Sequence, residues 1–116
     1  MIKIMIKLSE IINRVYRKYQ PILEKVGISL NLDFPDTSLM IEPGRGNLEL
    51  MIEKNMRAAT KRVRYGDSIS ISIRKGKIMI SDTGTVLSKA ACAVLSSERV
   101  SVKSRVGFGT SVEISF

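Results

Sequence analysis

The apolar positions of this chain change period from one segment to the next, and each period predicts an element. "MIKIMIK" (1–7) alternates Ile with Lys or Met, the period-two signature of a strand. Leu8, Ile11, Ile12, Val15, Tyr19, Ile22, Leu23 and Val26 then recur at three- and four-residue steps, predicting an amphipathic helix with Ser9 as N-cap and Gly27 as its stop. Pro21 falls late in that helix and is expected to bend it or break it locally. "ISLNLDF" aligns Ile28, Leu30, Leu32 and Phe34 on one strand face, and "SLMIE" beyond the Pro35-Asp36 turn reads as its hairpin partner. "EPGRG" breaks the chain before a second helix, on which Leu48, Met51, Ile52, Asn55 and Ala59 share a face. "SISISI" alternates without a fault, turns at "RKGK" and returns through Ile78 and Ile80 to Asp82. A third helix carries Leu87, Ala90, Ala91, Val94 and Leu95 on one side, and "RVSVKS" and "TSVEISF" close the chain as strands around "GFG".

This order of elements predicts a single α/β (α+β) domain over residues 1–116. It would be a two-layer sandwich, with a mixed, largely antiparallel sheet and about three helices on one face. The 44% apolar and 26% charged content suits an ordinary globular core, and no apolar run reaches the roughly 18 residues of a membrane span. Membrane insertion is therefore not expected, and a cytoplasmic location fits the lone Cys92, read as core packing. One cysteine excludes an intramolecular disulfide and a cysteine metal site. The absence of histidine excludes a Ser-His-Asp triad, a histidine-ligated metal and a phosphohistidine on this chain. The net charge of +8 would favour nucleic acid, acidic proteins or anionic ligands. The six aromatics, however, show no interleaving with Lys or Arg along the sequence of the kind that suits base stacking.

Three polar residues interrupt apolar patterns. Asn55 lies on the apolar stripe of the second helix, Asp82 follows Ile78 and Ile80 at period two, and Thr110 precedes Val112, Ile114 and Phe116 in the same way. An inward Asp is costly without partners, so the three could converge on one pocket. Each also has a plainer reading. For Asn55 it is a satisfied core amide or helix cap, for Asp82 an Asx-turn acceptor, and for Thr110 an ordinary strand start.

Taken in order, these residues resemble the Bergerat-fold (GHKL) ATPases, and among them the catalytic ATP-binding domain of sensor histidine kinases. "LSEIINRVYRKYQPILEKVGISLNLDF" is similar to that domain's opening helix and strand, and "MIEPGRGNLELMIEKNMRAATKR" to the segment through its N box. Asn55 matches the magnesium-holding Asn and Thr60 the Ser or Thr five residues on. "ISIRKGKIMISDTG" resembles the hairpin into the first glycine box, so Asp82 and Gly84 match the adenine-accepting Asp and the first Gly. "VSVKSRVGFGTSVEISF" is similar to the terminal hairpin, in which Thr110 matches the Thr of the adenine-binding water network.

The departures from the family pattern concern the phosphate end. Val86 stands where the first glycine box has its last Gly, and the ATP lid and second glycine box are missing between Gly84 and Leu87. Met51 stands at the catalytic Glu or Asn, and Glu49 and Glu53 are poorly placed to replace it. The resemblance thus implies a two-component-type, kinase-like ATPase domain in degenerate form. Weak or lost binding of ATP or ADP would involve Asp82, Gly84, Thr110, Asn55 and Thr60, with magnesium at Asn55 and no catalytic residue. Lys89, near the start of the third helix, is a better-placed phosphate contact than the basic stripe of the second helix. A regulatory role with a protein partner follows. The alternatives are an ATPase or kinase subunit completed by a partner, and a basic nucleic-acid-binding domain. The stripe Lys54, Arg57, Lys61 and Arg64 reads first as a solvated helix face. "MIKIMIK" offers a strand edge to another chain, although a dimer is not indicated.

Overall fold

A computed structural model describes residues 4–34, 39–42, 47–74 and 76–116. The elements are β1 (Ile6–Lys7), α1 (Leu8–Lys25), β2 (Ser29–Asp33), β3 (Met40–Ile41) and α2 (Leu48–Arg62), followed by β4 (Ser68–Arg74), β5 (Lys77–Asp82), α3 (Lys89–Leu95), β6 (Val100–Arg105) and β7 (Gly109–Ser115). Five strands form one sheet in the order β2-β4-β5-β7-β6, parallel between β2 and β4 and antiparallel elsewhere. The three helices pack on one face of it, α1 against β2, α2 against β5 and β7, and α3 against β6. The expected two-layer sandwich with a mixed sheet is therefore the observed fold.

Strict alternation sets the sheet's two faces. Ile69, Ile71, Ile73, Ile78, Ile80, Val112 and Ile114 are buried under the helices, where Ile11, Ile12, Ile52 and Met56 meet them. β-Branched side chains suit this pleated, half-buried surface. The opposite face carries the intervening residues, including Ser70, Ser72, Ser81, Ser101 and Ser111.

Several details differ from the sequence expectation. β3 does not pair with β2; it pairs antiparallel with β1, and β2 instead runs parallel to β4. Hairpin logic assumes that neighbouring strands pair, but the long crossover through β3 and α2 brings β4 back parallel to β2, whose Leu30 and Leu32 pack against the core. The Pro35-Asp36 turn lies outside the described residues, as do Pro43 to Gly46, Lys75 and the first three residues of "MIKIMIK". α1 starts at Leu8, with Lys7 rather than Ser9 at its N-cap, and Ser9 is buried in the first turn. The helix runs through Pro21 without ending, and its stop is Gly27, whose positive φ lets Ile28 N–H close back on the Leu23 carbonyl at 3.0 Å.

α2 buries Leu48, Ile52, Met56 and Ala59, so its core stripe is centred on Ile52 rather than on Asn55. At about 100° per residue, Met51, Asn55 and Arg62 lie together on one flank of that stripe. α3 buries none of its residues; Val94 is 83% exposed, and only Leu87 and Cys92 pack against the core. A seven-residue helix over the edge strand β6 has too little sheet beneath it to cover the predicted apolar face.

Candidate functional site

The polar breaks in the strand patterns meet at one end of the sheet, on the helix side. Register places Ile69, Asp82, Thr110 and Ser104 in a single row across β4, β5, β7 and β6. Asp82 and Thr110, suspected separately from their periodicity, are thus cross-strand neighbours. Both are buried. The Thr110 hydroxyl is bonded to the Ser104 hydroxyl at 2.8 Å, and Ser104 Oγ also accepts the Leu87 N–H at 2.8 Å. That second bond ties the segment entering α3 to the end of β6.

Asp82 is bonded on both carboxylate oxygens by its own chain. Arg62, the last residue of α2, donates from Nε at 3.0 Å and from Nη2 at 2.8 Å to Oδ2, while the Gly84 N–H donates to Oδ1 at 3.0 Å. The Asp82 side chain is fully buried and that of Arg62 is 10% exposed. A buried carboxylate requires a paired charge and hydrogen bonds, and this one has both.

Arg62 also holds the turn that follows β5. Its carbonyl accepts the Thr85 N–H at 2.9 Å and the Thr85 hydroxyl at 3.3 Å. A Cβ on Gly84 would lie 2.1 Å from that carbonyl oxygen, so Gly84 is needed here for the close approach of two backbones. Gly109 has a similar role on the other side: its φ is +90°, and a Cβ there would lie 1.9 Å from the Asp82 carbonyl oxygen. The Asp-Thr-Gly-Thr turn is therefore pressed between the end of α2 and the start of β7. Thr83 completes its anchorage, its hydroxyl accepting from Ser68 N–H at 3.0 Å and donating to Asp67 at 3.1 Å.

The remaining candidates are not drawn into this cluster by any hydrogen bond. Asn55 Nδ2 donates to the Met51 carbonyl one turn back, at 2.8 Å. Thr60 lies about 140° around α2 from Asn55, on the flank toward α1, and its hydroxyl donates to the Arg57 carbonyl at 2.6 Å. Lys89 is exposed on the first residue of α3, whose first turn is capped by Ser88 Oγ accepting the Ala91 N–H at 3.0 Å. Lys54, Arg57, Lys61 and Arg64 are all exposed. The flank toward α1 is tied by Glu53, which accepts from Lys18 at 2.6 Å and from the Tyr19 hydroxyl at 2.8 Å. Burial works to raise the Glu53 carboxyl, but these two bonds together with the Lys18 and Arg57 charges outweigh it and hold the group below its usual value.

Arg62 itself was missed in the sequence. The available signal was its spacing: seven residues after Asn55 is nearly two full helical turns, which puts both on the same flank of α2.

No protein-family model matches the chain, and no curated protein does. Solved structures do. The catalytic domain of histidine kinase ThkA, in a nucleotide-free form, superposes with a TM-score of 0.79 at 16% identity, over 99% of this chain and 97% of that one. The cytoplasmic segment of histidine kinase QseC gives 0.74 at 12% identity, over 98% of this chain and 77% of that one. The histidine kinase domain of the blue-light-activated kinase from Erythrobacter litoralis EL346 gives 0.73 at 16%, over 94% and 60%. The chain has the histidine-kinase catalytic-domain fold. At these identities the likeness concerns the fold, and the chemistry must be judged from the residues.

Judged so, the residues of this histidine-kinase fold do not fit an adenine nucleotide in the arrangement observed. The carboxylate expected to accept from adenine is already bonded to Arg62 and Gly84, and the threonine expected beside it is bonded to Ser104. Among the described residues no group of three or more His, Cys, Asp or Glu side chains could hold a metal ion. No helix among them is long and apolar enough to cross a membrane.

Proposed function

We propose that this chain is a degenerate, histidine-kinase-like domain whose nucleotide pocket is closed from within by Arg62, and that it acts as a regulatory, protein-binding module. The observation that carries this reading is the buried Arg62–Asp82 pair. For adenine to reach Asp82, the guanidinium must leave a site where it makes two hydrogen bonds, and nothing in the shortened turn offers it an equivalent buried partner. The same shortening removes the lid and second glycine box that would supply backbone amides to a triphosphate. Met51 at the position of the catalytic base leaves no group on α2 aligned to activate water.

A protein-binding role is supported by the precedent of the fold. ThkA, whose catalytic domain shares it, has been solved in complex with the response regulator TrrA; this chain superposes over 97% of its own length on 41% of that kinase, at a TM-score of 0.73 and 15% identity.

Isothermal titration with ATP and ADP, with and without magnesium, tests the closed pocket. No saturable heat is expected at micromolar nucleotide. Micromolar, magnesium-dependent ATP binding that disappears in Asp82→Asn would overturn the reading, and nucleotide turnover by the chain would replace it with the active-enzyme alternative.

A further inference from the structure

The face of the sheet opposite the helices carries chemistry that the nucleotide pocket does not use. Asn31, Ser70, Ser81, Ser111 and Lys103 form one register row across all five strands, spanning about 19 Å at the usual strand spacing. Four of these side chains are short and uncharged, so the surface is flat and rich in hydrogen-bonding groups. Ser81 and Ser111 touch hydroxyl to hydroxyl at 3.2 Å.

At the β6–β7 end of this row stands Phe108, 73% exposed, with the Arg105 guanidinium 5.1 Å from its ring centroid. Phe108, Arg105, Lys103, Ser81 and Ser111 line a shallow cleft of about 150 Å³. The carboxylate on the adjoining row, Glu113, is already paired with Lys77 at 2.8 Å. Lys103 and Arg105 have no carboxylate within ion-pairing distance among the described residues.

We propose that this open face binds single-stranded nucleic acid, one base stacking on Phe108 and neighbouring phosphates meeting Arg105 and Lys103. The cleft is smaller than the several hundred Å³ typical of sites that engulf a small molecule, so it suits one group of a longer ligand lying across the surface. An exposed aromatic on a sheet backed by helices is a physical platform for an unstacked base. The chain's net charge of +8 attracts a polyanion, and the hydroxyl row lets the strand continue over β5 and β4. Lys103, Arg105, Phe108 and Ser111 come from the single β6–β7 hairpin, and register with β5 adds Ser81 to them.

Fluorescence anisotropy of a labelled 20-nucleotide single-stranded RNA or DNA, titrated with the chain at several salt concentrations, tests the proposal. Saturable binding that weakens as salt rises is expected, with Phe108→Ala costing about fivefold or more and Phe108→Tyr retaining most affinity. Lys103→Ala and Arg105→Ala should each lower the log–log salt slope by about 0.7. Lys61→Ala, on the helical face, should leave both unchanged. Circular dichroism confirms that each surface variant is folded. Absence of binding at low salt overturns the proposal, as does an equal loss in Lys61→Ala, which would indicate diffuse charge attraction. Capture of polyglutamate in place of the oligonucleotide, with the same residues required, also overturns it in favour of an acidic protein partner. Ser104 and Thr110 also border the cleft, but Arg62 and Asp82 do not, so Asp82→Asn separates the nucleotide titration from this one.

Discussion

Thr110 and Ser111 are neighbours in the chain but belong to two different surfaces of the same sheet. On the helix side, Thr110 sits in a row whose polar groups are bonded to one another or to Arg62 and Gly84. On the open side, Ser111 sits in a row that ends in Lys103, which makes no ion pair among the described residues, and lies beside an exposed phenylalanine. Burial explains the difference. A polar atom removed from water must find a partner in the protein, so the buried row has become self-contained, whereas water can satisfy the open row until a ligand replaces it. The helix-side row is thus internally bonded, whereas the serine row faces solvent.

Breaking the buried pair should produce the largest effect. Asp82→Ala leaves the Arg62 guanidinium buried and unpaired, with an expected loss of about 3–5 kcal/mol in denaturant-unfolding stability. Replacing both partners by apolar residues, Arg62→Met with Asp82→Leu, should recover most of that loss, because the desolvation of two charges is removed as well. A double-mutant cycle measures the coupling, and additive losses would contradict it.

Gly109→Ala comes next. Its positive φ alone costs about 1–3 kcal/mol with a side chain, and the added Cβ must also push the Asp82 carbonyl aside. Thermal melting should show a clear drop, with Gly107→Ala smaller because nothing lies within 4 Å of its Cβ position.

The open face should respond least. Lys77→Ala removes the exposed partner of Glu113 and is expected to cost about 0–1 kcal/mol. The hydrogen bond from Lys77 holds the Glu113 carboxyl below its ordinary value of 4.5. A depressed carboxyl contributes stability above its unfolded pKa and loses it as pH falls through the folded value. The difference between wild type and Lys77→Ala should therefore be present at neutral pH and shrink below about pH 4.5. A constant difference down to strong acid would contradict the ionic origin.

Much of the fold was legible in advance because its signals are local. "SISISI" and the Ile78, Ile80, Asp82 series fixed two strands and the inward direction of Asp82, and the same period placed Thr110 toward the core. The helical period located α1 and α2 closely enough to identify Asn55, although its exact angle shifted to the flank of the core stripe. The β3 partner was not legible, since "SLMIE" suits any edge and the choice of β1 depends on where α1 and α2 carry the chain. Nor was the exposure of α3, whose apolar side matches a core helix in pattern but has only the edge strand beneath it.

The sequence by itself determined which residues face inward, because alternation is a property of the chain alone. Only the tertiary structure decided what happens to Asp82. An arginine twenty residues away becomes its partner because α2 ends where β5 ends, and a buried carboxylate binds the nearest cation that can reach it. The same assembly set Ser81 of β5 beside the hairpin that carries Phe108, a juxtaposition created by register rather than by nearness along the chain.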